Sequence, residues 1–179
     1  MSMSDELDDA ALLRSLAQRI SGQRPEGQTA PLGPDDLTAD KTGPQDVVRM
    51  VMDAFAQGAD LESRTLEGCR VLLSFAASVD DNETCDFLGQ VQPGAFGDPA
   101  ALVAFLSSEP NYRTLATLGE WKESGGPETS NYGRSCAQKL LVRRDGSDWE
   151  QMYMNMQLCD TPHGKRWIVM TIFKHDSVP

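Results

Sequence analysis

Residues that build metal centres, disulfides and histidine-based active sites are scarce in this sequence. The 179 residues include two histidines and four cysteines, and the cysteines lack the Cys-x-x-Cys spacing of zinc and redox sites. Cys136 and Cys159 fall on predicted strands, where cysteine commonly behaves as a small buried side chain. His163 lies in a predicted turn and His175 near the end of the chain, so neither is placed as a general base. We therefore expect no disulfide, no metal and no cofactor.

Long hydrophobic runs are missing as well. No run of about 20 apolar residues occurs, so we expect no transmembrane helix and no membrane partner. The first six residues, 1–6, are acidic rather than basic, which fits neither a secretory signal nor a transit peptide. The sequence predicts a soluble intracellular protein of the cytoplasm, or of an organelle if a targeting peptide has been removed.

Basic residues are scarce relative to acidic ones in residues 1–120. The net charge is −11, and residues 1–120 hold 8 basic and 20 acidic side chains, whereas residues 121–179 hold 8 and 7. An acidic field repels phosphate backbones and anionic membrane surfaces, so we expect no nucleic-acid partner.

Two segments with different compositions divide the chain into residues 1–41 and 42–179. Apolar residues at helical spacing predict an acidic amphipathic helix over residues 4–20, followed by a flexible linker rich in Pro and Gly. This helix either binds a protein partner, or it folds back on its own domain or stays frayed. The second alternative is favoured because short isolated helices are marginal in water.

The second segment has the pattern of an α+β domain. Helices are predicted from a capping box at residues 42–45 to Gly58, over residues 61–78, and from Asp98-Pro99 to Pro110. Strands are predicted within residues 112–123 and over residues 135–144, 149–160 and 166–174, with residues 124–132 forming a loop. This order predicts three N-terminal helices packed on a curved antiparallel sheet.

The two faces of the sheet have different side chains. Along residues 149–160, methionines alternate with polar and aromatic residues. If the polar face meets the helices, it lines a small-molecule pocket. The pocket candidates are then Trp121, Gln138, Tyr153, Asn155, Gln157 and Trp167.

The opposite arrangement is favoured, with the methionines in the core and the polar face in water. A one-residue error in register would reverse the assignment. A methionine face directed away from the helices would instead be a dimer surface. Its interface candidates are Met152, Met154, Met156 and Met170.

The middle of the domain resembles a known fold class. Residues 73–78, 96–102 and 112–115, with Asp46-Val47-Val48, are similar to an uncharacterised family of bacterial and plant proteins in the nuclear transport factor 2-like, or cystatin-like, superfamily. The resemblance covers roughly residues 44–174 and implies a cone-shaped α+β fold. The chain departs from the family at Ala77-Ser78-Val79, where Ser-Pro is usual, and in its N-terminal helix.

Two functional hypotheses follow. The first is a non-enzymatic binding or assembly domain that takes a protein partner or small ligand and forms a homodimer. The second is an isomerase, dehydratase or cyclase, because the resemblance implies that enzymes of this fold use a cavity carboxylate, His or Tyr. Asp53 and Glu120 are the candidate carboxylates, although solvated carboxylates are commoner. No Ser-His-Asp order or phosphate-binding glycine loop supports other chemistry. No catalytic residue is assigned.

Overall fold

The structure, a computed structural model, describes residues 37–77, 84–86 and 88–174, which belong to one compact unit. The expected helix over residues 4–20 lies outside the described residues. The packed domain includes residues that the sequence placed in the linker: Leu37 is buried in the core, and the Ala39 N–H donates to the Lys165 carbonyl at 2.7 Å. The domain therefore begins before residue 42.

In the described part of the chain, four α-helices precede the sheet, with a 3-10 turn before the third of them. The helices are α1 (Pro44–Ala56), α2 (Leu61–Ser74), α3 (Pro99–Ser108) and α4 (Arg113–Ala116), and the turn is Pro93–Ala95. The first three α-helices occupy the predicted positions, but α4 replaces the start of the strand expected within residues 112–123. None of the described helices is long and apolar enough to cross a membrane.

Local sequence signals explain where these helices begin. Proline occupies the first turn of α1 and of α3, where its missing N–H leaves no hydrogen bond unmade. The Asp98 carboxylate caps α3 by accepting the Ala101 N–H at 2.9 Å. At α1 the capping residue is Gly43, whose N–H donates to the Asp46 carboxylate, so the capping box lies one residue later than predicted.

Helices α1 and α2 form a close-packed hairpin that covers one face of the sheet. The contact depends on Gly68, because a Cβ at that position would overlap the Phe55 ring. Phe55 and Leu72 are each 1% exposed and belong to the same core cluster as the inward residues of the sheet.

The sheet is open, curved and antiparallel, with five strands. They are β1 (Glu120–Glu123), β2 (Glu128–Ser130), β3 (Ser135–Arg143), β4 (Glu150–Thr161) and β5 (Gly164–Lys174). β1 and β2 pair with successive parts of β3, which is followed by β4 and β5. β2 lies inside the segment predicted as a loop.

A β-bulge in β5 changes which side chains share a face. Asn155 pairs with Thr171, whereas the next residue, Met156, pairs with Val169, so Met170 is the extra residue. Strict alternation would place Val169 and Thr171 on one face and Ile172 on the other. Because of the bulge, Val169 and Ile172 both point into the core, at 1% and 3% exposure.

The outer edge of β5 is covered by backbone hydrogen bonds. The Val169 N–H donates to the Phe75 carbonyl at 2.8 Å, and Val91 and Ile172 exchange two bonds of 2.9 Å. On the opposite edge, β1 and β2 have β3 as their strand partner within the described residues. The β5 edge of the sheet is therefore hydrogen-bonded to other parts of the chain, and the opposite edge consists of the two short strands β1 and β2.

Candidate functional site

The face of the sheet that meets the helices is sealed by apolar side chains. Met152, Met154 and Met156 are 1%, 0% and 2% exposed and belong to the core cluster. In this structure they offer no free surface to a second subunit, because the helices of the same chain cover them. Of the four interface candidates, Met170 alone lies on the other face, 37% exposed at the bulge.

The opposite face, which we call the outer face, carries two sets of ordered side chains. The rings of Tyr153 and Phe173 stack at 5.0 Å with an interplanar angle of 9°. Beside them, the Gln90 side-chain oxygen accepts from the Thr171 hydroxyl at 2.8 Å, and the Asn155 amide donates to the same hydroxyl at 3.0 Å. These contacts fix amide and aromatic groups on a surface that no described helix covers.

A groove of about 440 Å³ lies on the outer face between β2 and the β5 bulge. Backbone and side chains from four strands form it, and its polar groups are hydroxyls, amides and one carboxylate. The lining residues are Glu128, Thr129, Ser130, Ser135, Cys136, Ala137, Asn155, Met156, Gln157 and Met170. Asn155 and Gln157 were predicted as pocket residues and do line this groove.

The turn between β2 and β3 stands next to the groove. Ser130 and Ser135 pair at its base, and both line the groove. Between them, Asn131 and Tyr132 each have a φ of 55°, followed by Gly133 at 78°. Tyr132 is fully exposed. Two consecutive non-glycine residues in the left-handed region are uncommon, and Asn is far better suited to it than Tyr.

Charged groups occupy the other end of the outer face. The Lys122 ammonium and the Arg143 guanidinium each lie 4.5 Å from the centre of the Trp149 ring. Arg143 also forms an ion pair with Glu120 at 2.8 Å. Glu120, one of the two candidate catalytic carboxylates, is therefore an exposed partner of an arginine.

Three further pocket candidates, Trp121, Gln138 and Trp167, lie on the core side of the sheet and do not join the groove. Tyr153 lies on the outer face but does not line the groove. The Trp121 indole N–H donates to the Asp53 carboxylate at 3.0 Å, which links β1 to α1. Asp53, the second candidate catalytic carboxylate, therefore has a hydrogen-bond partner within the domain. Trp167 is buried at 8% exposure in the core cluster. Gln138 is fully buried, and its amide donates to the carbonyls of Gly125 and Lys139 at 3.2 and 3.0 Å, where the β1–β2 edge is interrupted.

Titratable groups in the core are kept neutral. Burial raises the pKa of the Cys69 thiol from 9.0 to about 12, and burial also raises the pKa of Tyr112 to about 12. Among the described residues, the buried polar side chains are Thr42, Thr65, Thr114 and Gln138, and none is a carboxylate. No cluster of metal-ligating side chains occurs within the described residues either. All four cysteines are free thiols, and His163 lies at the exposed β4–β5 turn.

No protein-family model matches the chain, and neither the curated proteins nor the solved structures give a significant match. Sequence reasoning missed two features of the outer face, the exposed Tyr132 and the β-bulge at Met170. Tyr132 lay in a predicted loop, although its neighbours Asn131 and Gly133 signal a turn. Met170 was assigned to a regular strand, and nothing in its local sequence marks the bulge.

Proposed function

We propose that the chain is a non-catalytic assembly domain that forms a homodimer through the outer face of its sheet. The observation that carries the proposal is the outer face itself. It holds a groove, an exposed methionine and a stacked aromatic pair, and no described helix covers it. Partly apolar surface that the described part of the chain leaves uncovered is typical of an interaction site.

The distribution of charge favours a second copy as the occupant. Two molecules of net charge −11 repel one another unless they meet where the negative charge is weakest. Residues 121–179, which contain the whole sheet except the first residue of β1, are almost neutral.

The outer face also carries both signs of charge. Toward one end of β3 lie the bases Lys122, Lys139 and Arg143, of which Arg143 is paired with Glu120, so this end keeps an excess of positive charge. Glu128 lies beside the groove at the other end. A two-fold axis between two such faces brings the basic end of one copy toward the acidic end of the other, as an isologous contact requires.

The fold supports the resemblance noted from the sequence. Helices that precede a curved antiparallel sheet and cover one of its faces are the arrangement expected of the nuclear transport factor 2-like class, and we propose that the chain belongs to it. Fold class does not by itself assign a function. The proposal that residues 4–20 bind a further protein partner rests on their amphipathic sequence alone.

The isomerase, dehydratase or cyclase alternative has less support. It needs a carboxylate directed into an enclosed space, where burial tunes its acidity. Asp53 instead accepts the Trp121 N–H, and Glu120 is exposed and paired with Arg143.

Sedimentation equilibrium of two charge-reversed variants tests the assembly proposal. Lys139→Glu replaces a base of the outer face with an acid, whereas Arg70→Glu makes the same charge change on the exposed surface of α2. We expect the wild type to dimerise reversibly, Lys139→Glu to weaken the dimer about tenfold or more, and Arg70→Glu to leave it nearly unchanged. Equal effects of the two variants would show that net charge, and not the outer face, governs association. A wild type that stays monomeric would reject the proposal.

A further inference from the structure

The turn that carries Tyr132 displays an aromatic ring with no packing partner among the residues that the structure describes. The side chain is 104% exposed, while its backbone holds a φ of 55° that Tyr rarely adopts. The turn is nonetheless ordered by hydrogen bonds from Gly133 N–H to Ser130 and from Arg134 N–H to Asn131, both 3.1 Å. Asn or Gly at position 132 would suit this backbone better, so the monomer gives no reason for a tyrosine here.

The groove beside the turn has the size and chemistry to receive such a ring. Its volume of about 440 Å³ exceeds that of a phenol side chain. Ala137 and Met170 provide apolar contacts, and Asn155 and Gln157 offer amides that can bond a phenolic hydroxyl. Tyrosine is enriched at interfaces because it combines an apolar body with a polar tip in this way.

The ring cannot be packed in its own groove in the observed conformation, because it is fully exposed. The turn and the groove are nevertheless neighbours, since Ser130 and Ser135 belong to both. When a projection and a cavity lie side by side, a two-fold axis near their boundary sets each projection against the other copy's cavity. One residue type then makes two equivalent contacts in a closed dimer.

We propose that Tyr132 is the anchor of the homodimer, and that the ring of each copy inserts into the groove of the other. The inference rests on the proposed self-association and adds the residue and the cavity that carry it. The occupant of the groove is accordingly a tyrosine of a second copy, and the hydroxyl bonds the amide of Asn155 or Gln157.

The first test is the dimer dissociation constant of Tyr132→Asn, measured by sedimentation equilibrium on the full chain. Asn keeps the left-handed backbone but removes the ring, so the melting temperature should not fall when both proteins are compared at a concentration where they are monomeric. Loss of a central aromatic anchor should raise the dissociation constant about 30-fold or more. Tyr132→Phe, which keeps the ring, should retain most of the affinity.

A second variant blocks the cavity. Ala137 pairs with Glu128 across β2 and β3, so Ala137→Arg would lay a guanidinium over the groove next to that carboxylate. We expect Ala137→Arg to be monomeric at concentrations where the wild type is dimeric. Mixed with Tyr132→Asn, it should form a heterodimer, because the tyrosine of one variant and the open groove of the other supply one of the two contacts.

The possible results distinguish the role of Tyr132 as an anchor from self-association itself. Monomeric single variants with heterodimer formation in the mixture support the inference. A wild-type dimer that Tyr132→Asn leaves equally tight overturns the anchor while self-association stands. A wild type that remains monomeric overturns both, and the groove would then serve a small ligand or another protein.

Discussion

The two faces of one sheet are built from the same strands and have opposite characters. Along β4, Met152, Met154 and Met156 are sealed under the helices, whereas the residues between them lie in water or in contact with other side chains of the outer face. The core face is apolar because burying polar groups without partners is costly. The outer face is under no such constraint, and its amides, aromatic rings and bases form the surface that we assign to assembly.

The largest contrast between the faces should appear when side chains on opposite faces of β4 are truncated. Met154→Ala leaves a cavity in the core and should lower the free energy of unfolding by about 3 kcal/mol. Gln157→Ala, on the exposed side of the same strand, should change it by no more than about 0.5 kcal/mol. Urea denaturation measures both under conditions where the protein is monomeric. Similar losses for the two variants would contradict the assignment of the faces.

Alkaline pH should destabilise the protein because the core contains a buried thiol, that of Cys69. The Cys69 thiol keeps its proton in the folded state up to a pKa of about 12, whereas the unfolded thiol loses it above pH 9.0. The unfolded state therefore binds fewer protons between these values, and stability falls as pH rises, by up to about 1.4 kcal/mol per pH unit for one such group.

Comparison of Cys69→Ala with the wild type isolates this contribution. The variant should lose stability less steeply above pH 9, as followed by urea denaturation at pH 7 to 11. Between pH 6 and 8 the two proteins should show parallel pH dependence, which serves as the control. Parallel curves at alkaline pH as well would show that Cys69 is not shielded from solvent as the structure requires.

A smaller effect should show whether the stacked rings of the outer face contribute to stability. The Tyr153 and Phe173 rings stack across β4 and β5, and such pairs contribute about 1 kcal/mol beyond their burial. A double-mutant cycle with Tyr153→Ala and Phe173→Ala should give a coupling energy of that size. Additive losses would mean that the stacking of the two rings contributes nothing beyond their burial.

Much of this contrast could be predicted from sequence, because alternation is a local property. The methionines of β4 occupy every second position, so their common face follows once the strand is recognised. The α+β class and the starts of α1 and α3 were also predictable, since proline and capping residues mark helix starts directly.

The features that could not be predicted depend on contacts between residues that are distant in sequence. The bulge at Met170 arises in the pairing of β5 with β4, and it moved Trp167, Val169 and Ile172 to the core together. Gln138 was grouped with pocket residues, although it shares a face with Leu140 and is buried beside the interruption between β1 and β2. The groove itself combines four strands, so no single segment of the sequence could reveal it.

Methionine oxidation tests the central claim most directly, because the sheet carries the same side chain on both faces. With dilute peroxide and peptide mass spectrometry, Met170 should be oxidised quickly in dilute native protein, while Met152, Met154 and Met156 react only after unfolding. As the protein concentration rises through the dimerisation range, Met170 should become protected. Comparable oxidation of all four methionines in the native protein, or a Met170 rate that does not depend on protein concentration, would contradict the account.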